Sequence, residues 1–224
     1  MILTKNLPRI LETAKASERV LDVGGWFQPL NLATHVLDIG SYATRRHEHA
    51  LDPQNAERYS EDTWTVHDAC KGDLPFEDKY FDFCFCSHLL EDVRDPLPVC
   101  AEMVRVSKAG YIEMPSRDRE IFCKVRFAWL KKAFGTMPEI GFYHHRWFCE
   151  IEGSHVRFTV KDQRLVLDRE AYITRGELGR KLTEDESGVG LFWEGGFTSE
   201  EVFEENENFL RKYKSEALTR LKGK

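Results

Sequence analysis

The residues in this chain whose types and spacing suit a chemistry lie at the ends of short apolar runs. Val20-Leu21-Asp22-Val23-Gly24-Gly25 and His35-Val36-Leu37-Asp38-Ile39-Gly40 each read as a buried strand of aliphatic residues ending in an acid or a glycine. Gly24 and Gly25 let backbone approach backbone or ligand closely, because no Cβ intervenes. Asp38 puts a carboxylate at the carboxyl edge of the same sheet, where open α/β sheets bind nucleotides and an acid suits ribose hydroxyls. Trp64-Thr65-Val66-His67 ends in Asp68-Ala69, and the apolar run Tyr80-Phe81-Asp82-Phe83-Cys84-Phe85-Cys86 presents Ser87 and His88. Together these groups suit the binding of a nucleoside.

The elements that must position them follow from the same pattern. Ile10, Leu11 and Ala14 are at helical spacing, so a short amphipathic helix leads into the first strand and is expected to cover a sheet edge. The link from Gly24 to His35 is too short for a helical crossover of ordinary length, so a truncated one is expected, with at most a helical turn at Pro29. Trp26 and Phe27 then either cover the ligand face that a helix would have walled or pack beneath the loop. Leu89 to Val106 reads as helical material broken near Pro96 and Pro98, and Tyr111-Ile112-Glu113-Met114 as a fifth strand stopped by Pro115. Strand and connector alternate up to this point, which predicts a parallel sheet. Beyond it, Glu120 to Phe134 reads as a helix. His155–Val160 and Arg164–Asp168 read as an antiparallel hairpin at a sheet edge. From Thr198 a terminal helix is expected, with Val202, Phe203, Phe209, Leu210 and Leu218 as its apolar stripe.

Composition bounds the function. The chain has 224 residues, 42% hydrophobic and 31% charged, enough for one domain over 1–224 with a sizeable core. A net charge of -6 argues against nucleic acid as a partner. No apolar run approaches membrane-spanning length and the N-terminus lacks a signal-peptide core, so neither a membrane nor export is expected. Six cysteines are too sparse for a disulfide scaffold, and reduced thiols in the cytoplasm are the expectation. No metal is expected: Cys84 and Cys86 alternate with aromatics as core thiols, and His47 and His49 have no third ligand at suitable spacing. The Arg45–His49 run reads as a solvated face.

The ordered set of Val-Leu-Asp-Val-Gly-Gly, Asp38, Asp68-Ala69, and Leu74-Pro75-Phe76 ahead of Phe81-Asp82-Phe83-Cys84-Phe85-Cys86-Ser87-His88 resembles the class I S-adenosylmethionine-dependent methyltransferases, of the methyltransferase type 11 kind. Leu89-Leu90-Glu91-Asp92-Val93-Arg94-Asp95-Pro96 and Glu102-Met103-Val104-Arg105-Val106 extend it, so that it covers roughly Arg19 to Ser116. Within the family the chain is similar to a subgroup with a shortened, proline-containing first crossover, in which a later His-Arg-Trp, here His145-Arg146-Trp147, precedes a strand pair.

The resemblance implies a Rossmann-like, mostly parallel sheet of about seven strands with an antiparallel edge and helices on both faces. It implies S-adenosylmethionine as cofactor, a cofactor-binding core over 19–116 and acceptor-side and C-terminal elements over 117–224. Asp22, Gly24 and Gly25 would approach the amino-acid part of the cofactor, Asp38 the ribose, Asp68 and the Ala69 backbone the adenine, and Ser87 and His88 the methionine portion or the acceptor. The chain departs from the family where Trp26 follows the two glycines and where Asp92 stands in place of a frequent His. The candidate bases are His88 and His145, with Glu113 and His144 beside them. His144, Arg146 and Trp147 are expected to line the side that receives a small-molecule or glycan-type acceptor. The alternatives are a dinucleotide oxidoreductase, disfavoured because the loop lacks spaced glycines for a pyrophosphate, and a nucleoside-binding protein of the same fold without turnover.

Overall fold

The computed structural model describes residues 2–124, 139–161, 168–203 and 208–223. Helix α1 (Leu7–Ala16) has proline in its first turn, where the missing N–H is of no consequence, and turns Ile10 and Ala14 inward. Then come β1 (Val20–Val23), β2 (His35–Asp38), β3 (Trp64–Val66), β4 (Phe81–Ser87), α2 (Pro96–Val106) and β5 (Ser107–Pro115). α2 starts at Pro96, so the prolines that interrupt the apolar pattern mark the helix start.

A later stretch completes the sheet. α3 (Arg117–Glu120), β6 (Phe122–Cys123), β7 (Trp147–Glu152), β8 (His155–Val160), β9 (Ile173–Thr174), α4 (Arg175–Leu178), α5 (Glu184–Ser187), β10 (Gly188–Glu194), β11 (Thr198–Val202) and α6 (Phe209–Lys222) follow in order. The main sheet has six strands in the order β10-β5-β4-β1-β2-β3. Its first five strands in chain order are mutually parallel and β10 is antiparallel to β5. Strand order therefore reverses between β1 and β4, and the crevice of such a sheet opens at their carboxyl ends.

The first crossover has no helix at all. Residues 24–34 run as turns, and Leu30, Leu32 and Ala33 are buried against Val20, Val36, Phe83, Phe85 and Tyr111, filling the layer a helix would occupy. Two acids pin the loop: the Leu30 N–H donates to Asp22 Oδ2 at 2.9 Å, and the Asn31 N–H to Asp52 Oδ1 at 2.6 Å. α1 packs into this same layer, so it covers a face of the sheet rather than the expected edge. On the opposite face Val99, Cys100, Met103 and Val106 of α2 bury against Leu21, Cys84 and Ile112.

Three expectations are corrected. The antiparallel edge of the main sheet is β10, not the hairpin at 155–168. β8 does form a hairpin, but with the preceding β7, in a separate sheet of order β11-β8-β7. The expected partner at Arg164–Asp168 falls mostly outside the described residues, as does most of the helix expected over Glu120–Phe134. Thr198–Val202 is a strand parallel to β8, not the start of the terminal helix. Backbone pairing along an available edge there outweighs the helical leaning of Glu200-Glu201. Among the described residues no helix is long and apolar enough to cross a membrane, and all six cysteines are free thiols.

Candidate functional site

The chain turns out of β1 at Gly24, whose φ of +88° only glycine adopts readily. A Cβ on Gly25 would meet Asp22 Oδ2 at 2.4 Å, so the second glycine exists to let the loop close over that carboxylate. Asp22 is buried, and burial pushes its carboxyl up to about 8 despite the Leu30 N–H. Asp38 closes the loop from the neighbouring strand: Oδ2 accepts from the Trp26 N–H at 3.1 Å and Oδ1 from the Gly40 N–H at 2.7 Å. Its burial raises the carboxyl above its ordinary value while those bonds oppose the rise. Asp68 caps the turn after β3 by accepting the Cys70 N–H at 3.0 Å. Trp26 and Phe27 divide the two roles left open for them. Trp26 packs on Gly40, while Phe27, 55% exposed, lines the site.

Two adjoining cavities follow this edge and share Gly24 and Asp92. The outer one, of about 320 Å³, is walled by Gly24, Asp38, Ile39, Asp68, Ala69 and Leu89. Ile39 is 74% exposed there, an apolar surface beside the Asp38 carboxylate. The inner one, of about 410 Å³, is lined by Asp22, Gly24, Phe27, Ser87, His88 and Glu91, with His144 and His145. Ser87 Oγ, Glu91 Oε2 and Asp92 Oδ1 are buried there with no hydrogen-bond partner among the described residues. Buried polar atoms of this kind call for a polar guest.

His88 stands at the end of β4 with φ of 54°, a conformation uncommon for a residue with a side chain. Its backbone N–H donates to the Glu113 carbonyl, and its Nδ1 lies 3.1 Å from Glu91 Oε1. A carboxylate only accepts, so Nδ1 donates to Glu91, while Nε2 faces Glu113 Oε1 at 3.8 Å. Glu113 also accepts from the Leu3 N–H and the Tyr111 hydroxyl, and burial raises its carboxyl.

The later segment is held by a buried triad. Glu120 accepts from His145 Nδ1 at 2.7 Å and from the Lys161 ammonium, which also donates to the Phe142 carbonyl at 2.6 Å. Burial works to raise the Glu120 carboxyl, but the His145 bond and the Lys161 charge hold it below its ordinary value. Gly141 makes the fit possible, since a Cβ there would sit 2.2 Å from the Glu120 carbonyl oxygen. His144 and His145 consequently face Asp92, with Nε2 to carboxylate distances of 3.9 and 3.8 Å. The ligand atoms of Asp92, His144 and His145 lie within 4.8 Å of one another, close enough to share a cation, a cluster the sequence spacing did not show.

The structure thus gathers Asp22, Gly24, Ser87, His88, His144 and His145 around the inner cavity, and Asp38, Asp68 and Ala69 around the outer. It does not bring Arg146 or Trp147 to either. Arg146 is exposed and only its backbone bonds inward, while Trp147 is core, its indole donating to the Val93 carbonyl at 2.9 Å. Sequence reasoning missed Ile39, Glu91 and Phe142 around these cavities. Glu91, three residues after His88, had a readable signal in that spacing; Phe142 is placed by contacts distant in sequence.

This arrangement, two cavities at the switch point of a mostly parallel sheet with an acid at the end of β2 and another after β3, is the one expected from the resemblance to class I S-adenosylmethionine-dependent methyltransferases. Residues 26–112 match the family model described as a methyltransferase domain. No curated protein sequence matches the chain. Similar solved structures include the YcgJ protein of Bacillus subtilis, at 21% identity over 50% of this chain and 51% of that one, with a TM-score of 0.35. A SAM-dependent methyltransferase of Aquifex aeolicus shares 15% identity over 49% and 64%, with a TM-score of 0.35. Phosphoethanolamine N-methyltransferase 2 of Haemonchus contortus, solved with phosphomonomethylethanolamine and S-adenosylhomocysteine, shares 20% over 49% and 28%, with a TM-score of 0.33. In each case the match spans less than two thirds of the neighbour's own length.

Proposed function

We propose that the chain is an S-adenosylmethionine-dependent methyltransferase acting on a small polar acceptor. The observation that carries this reading is the pair of adjoining cavities along the carboxyl edge, one with an apolar floor beside Asp38 and Asp68, the other with buried, unpartnered acceptor atoms beside Asp22. Asp38 would accept from the ribose hydroxyls, having lone pairs beyond the two its loop uses. Ile39 and Leu89 would face the adenine, with Asp68 and the Ala69 backbone at its polar edge. Glu91 and Asp22 would meet the positive charges of the amino-acid portion, since a buried carboxylate gains most from a nearby cation. Bound there, the cofactor supplies a methyl group already activated by its sulfonium.

The protein's own part is position and proton transfer. Rate in such chemistry comes largely from holding the acceptor in line. His88, tethered by Glu91, would take the acceptor's proton at Nε2. His145, pinned by Glu120, would orient the acceptor through Asp92 and His144. Phe27 and Phe142 would exclude water from the inner cavity. The reading places the enzyme in the cytoplasm, which its free thiols suit. The test is incubation with methyl-labelled donor and a panel of small hydroxylated, amino and glycan acceptors. Labelled product from wild type and none from His88→Ala supports the reading. Tight S-adenosylhomocysteine binding with no product on any acceptor would favour the nucleoside-binding protein without turnover.

A further inference from the structure

Beyond His88 lies a third cavity that cofactor binding does not explain. It has a volume of about 620 Å³, shares His88 and Phe142 with the inner cavity, and is lined by Arg119, Lys124, Arg175 and Lys181, with Glu184 as the carboxylate among its lining residues. Arg119, on α3, is only 7% exposed, and both terminal nitrogens of its guanidinium are buried without a hydrogen-bond partner among the described residues. The neighbouring Glu120 makes no ion pair with it, that carboxylate being bonded to His145 and Lys161, and its charge offsets only part of the burial of Arg119. What Arg119 has is the ring of Phe142, 4.4 Å from its guanidinium carbon, and Lys124 approaches the same ring at 5.2 Å.

Two cations thus converge on one ring, and neither has an ion pair among the described residues. A cation over a ring recovers less than the desolvation of a buried ion costs. Burial holds the Arg119 guanidinium below its ordinary pKa against the Glu120 charge, and burial together with the Arg119 charge does the same for Lys124 against Glu139. Arg175 and Lys181 have no ion pair among the described residues either. A planar guanidinium with two open N–H groups is the donor that pairs best with a carboxylate or phosphate.

We infer that this cavity binds an oxyanion, a phosphate or carboxylate, through Arg119 and Lys124, and that it is the anionic group of the methyl acceptor. The second half rests on the methyl-transfer reading; the anion site does not. A molecule anchored at Arg119 passes His88 on its way into the inner cavity, which puts its nucleophile beside the proposed base. Arg119 does not line either cofactor cavity, so the cofactor's own carboxylate is not the anion in question.

The experiment is calorimetric titration of the full chain with inorganic phosphate and with acetate, each with and without S-adenosylhomocysteine. At least one anion should bind wild type, and Arg119→Met should weaken it about 10- to 100-fold, the worth of charged hydrogen bonds to an anion. S-adenosylhomocysteine affinity should be unchanged, and the melting temperature should hold or rise, because an unpartnered buried charge has been removed. A purely structural Arg119 would instead lower it. If Arg119→Met does not fold, the exposed Lys124→Met decides, with a smaller loss of anion affinity expected. Failure of both anions to bind, binding indifferent to both substitutions, or weakened cofactor binding in Arg119→Met would overturn the assignment. Arg119-dependent anion binding without S-adenosylhomocysteine binding would sink the methyl-transfer reading and leave the anion site standing.

Discussion

The outer cavity and the cationic cavity are built in opposite ways. At the outer end the two acids at the strand ends are held by backbone N–H groups: Asp38 by Trp26 and Gly40, Asp68 by Cys70. At the far end four cations, from α3, Lys124, α4 and the stretch that follows it, face one carboxylate, Glu184, and among the described residues Arg119 has no hydrogen-bond partner for its terminal nitrogens. The first end is finished before any ligand arrives, which suits a cofactor common to a whole class of enzymes. The second carries an unbalanced charge that a guest must complete, which suits the group that distinguishes one substrate from another. His88 stands between them, lining both the inner cavity and the cationic one.

Several substitutions break or sharpen this contrast. His88→Ala should slow turnover on an identified acceptor by about 10²- to 10⁴-fold, the usual worth of a general base, with cofactor affinity intact. A matching fall in S-adenosylhomocysteine affinity by calorimetry would move His88 to the cofactor side. Glu120→Gln leaves Lys161 buried without its counter-charge, and denaturant unfolding should show a loss of about 3–5 kcal/mol. That sets Glu120, a brace, apart from Arg119, whose removal should cost no stability. Asp38→Ala should weaken S-adenosylhomocysteine binding by about 1.5–3 kcal/mol, the worth of hydrogen bonds to a charged group. Unchanged affinity in a folded variant would reduce Asp38 to a clasp for the loop.

Smaller effects come from pH and from the surface. Asp22 has its carboxyl raised from 3.8 to about 8, so in that window the folded state keeps a proton that the unfolded state releases. Its contribution to stability is complete below the unfolded value and is lost as pH rises through the folded one, by at most about 1.4 kcal/mol per pH unit. Asp22→Asn should therefore flatten the fall in melting temperature between mildly acidic and mildly alkaline buffer, and an unchanged slope would assign it to other groups. Arg146→Ala should change cofactor affinity and turnover by less than about 0.5 kcal/mol, as exposed side chains do. A large loss of turnover would restore the acceptor role that the residue types suggested.

The same contrast explains what the sequence disclosed. β1 to β5 were legible because buried parallel strands are continuous apolar runs, and the acids after β2 and β3 sit at fixed offsets from them. β10 was not, because Gly188-Val189-Gly190 breaks the run and its pairing partner β5 is more than seventy residues earlier. β11 reads as helix by composition and is a strand only because β8 offers an edge. In the site, Tyr143 to Trp147 looked like an acceptor cluster because its side chains mix charge and aromaticity. The fold then sends His144 and His145 inward, Arg146 outward and Trp147 into the core, a partition decided by the Glu120–Lys161 brace. Arg119 looked like any helical arginine, since nothing in the local sequence marks a cation buried without a partner.

The central claim is that the carboxyl edge of β1 to β4 holds S-adenosylmethionine. Calorimetric titration of the purified protein with S-adenosylhomocysteine, S-adenosylmethionine and NAD tests it most directly. The account predicts saturable binding of both sulfur nucleosides, weakened by Asp38→Ala, and none of NAD. Heat from NAD with none from either sulfur nucleoside would contradict it.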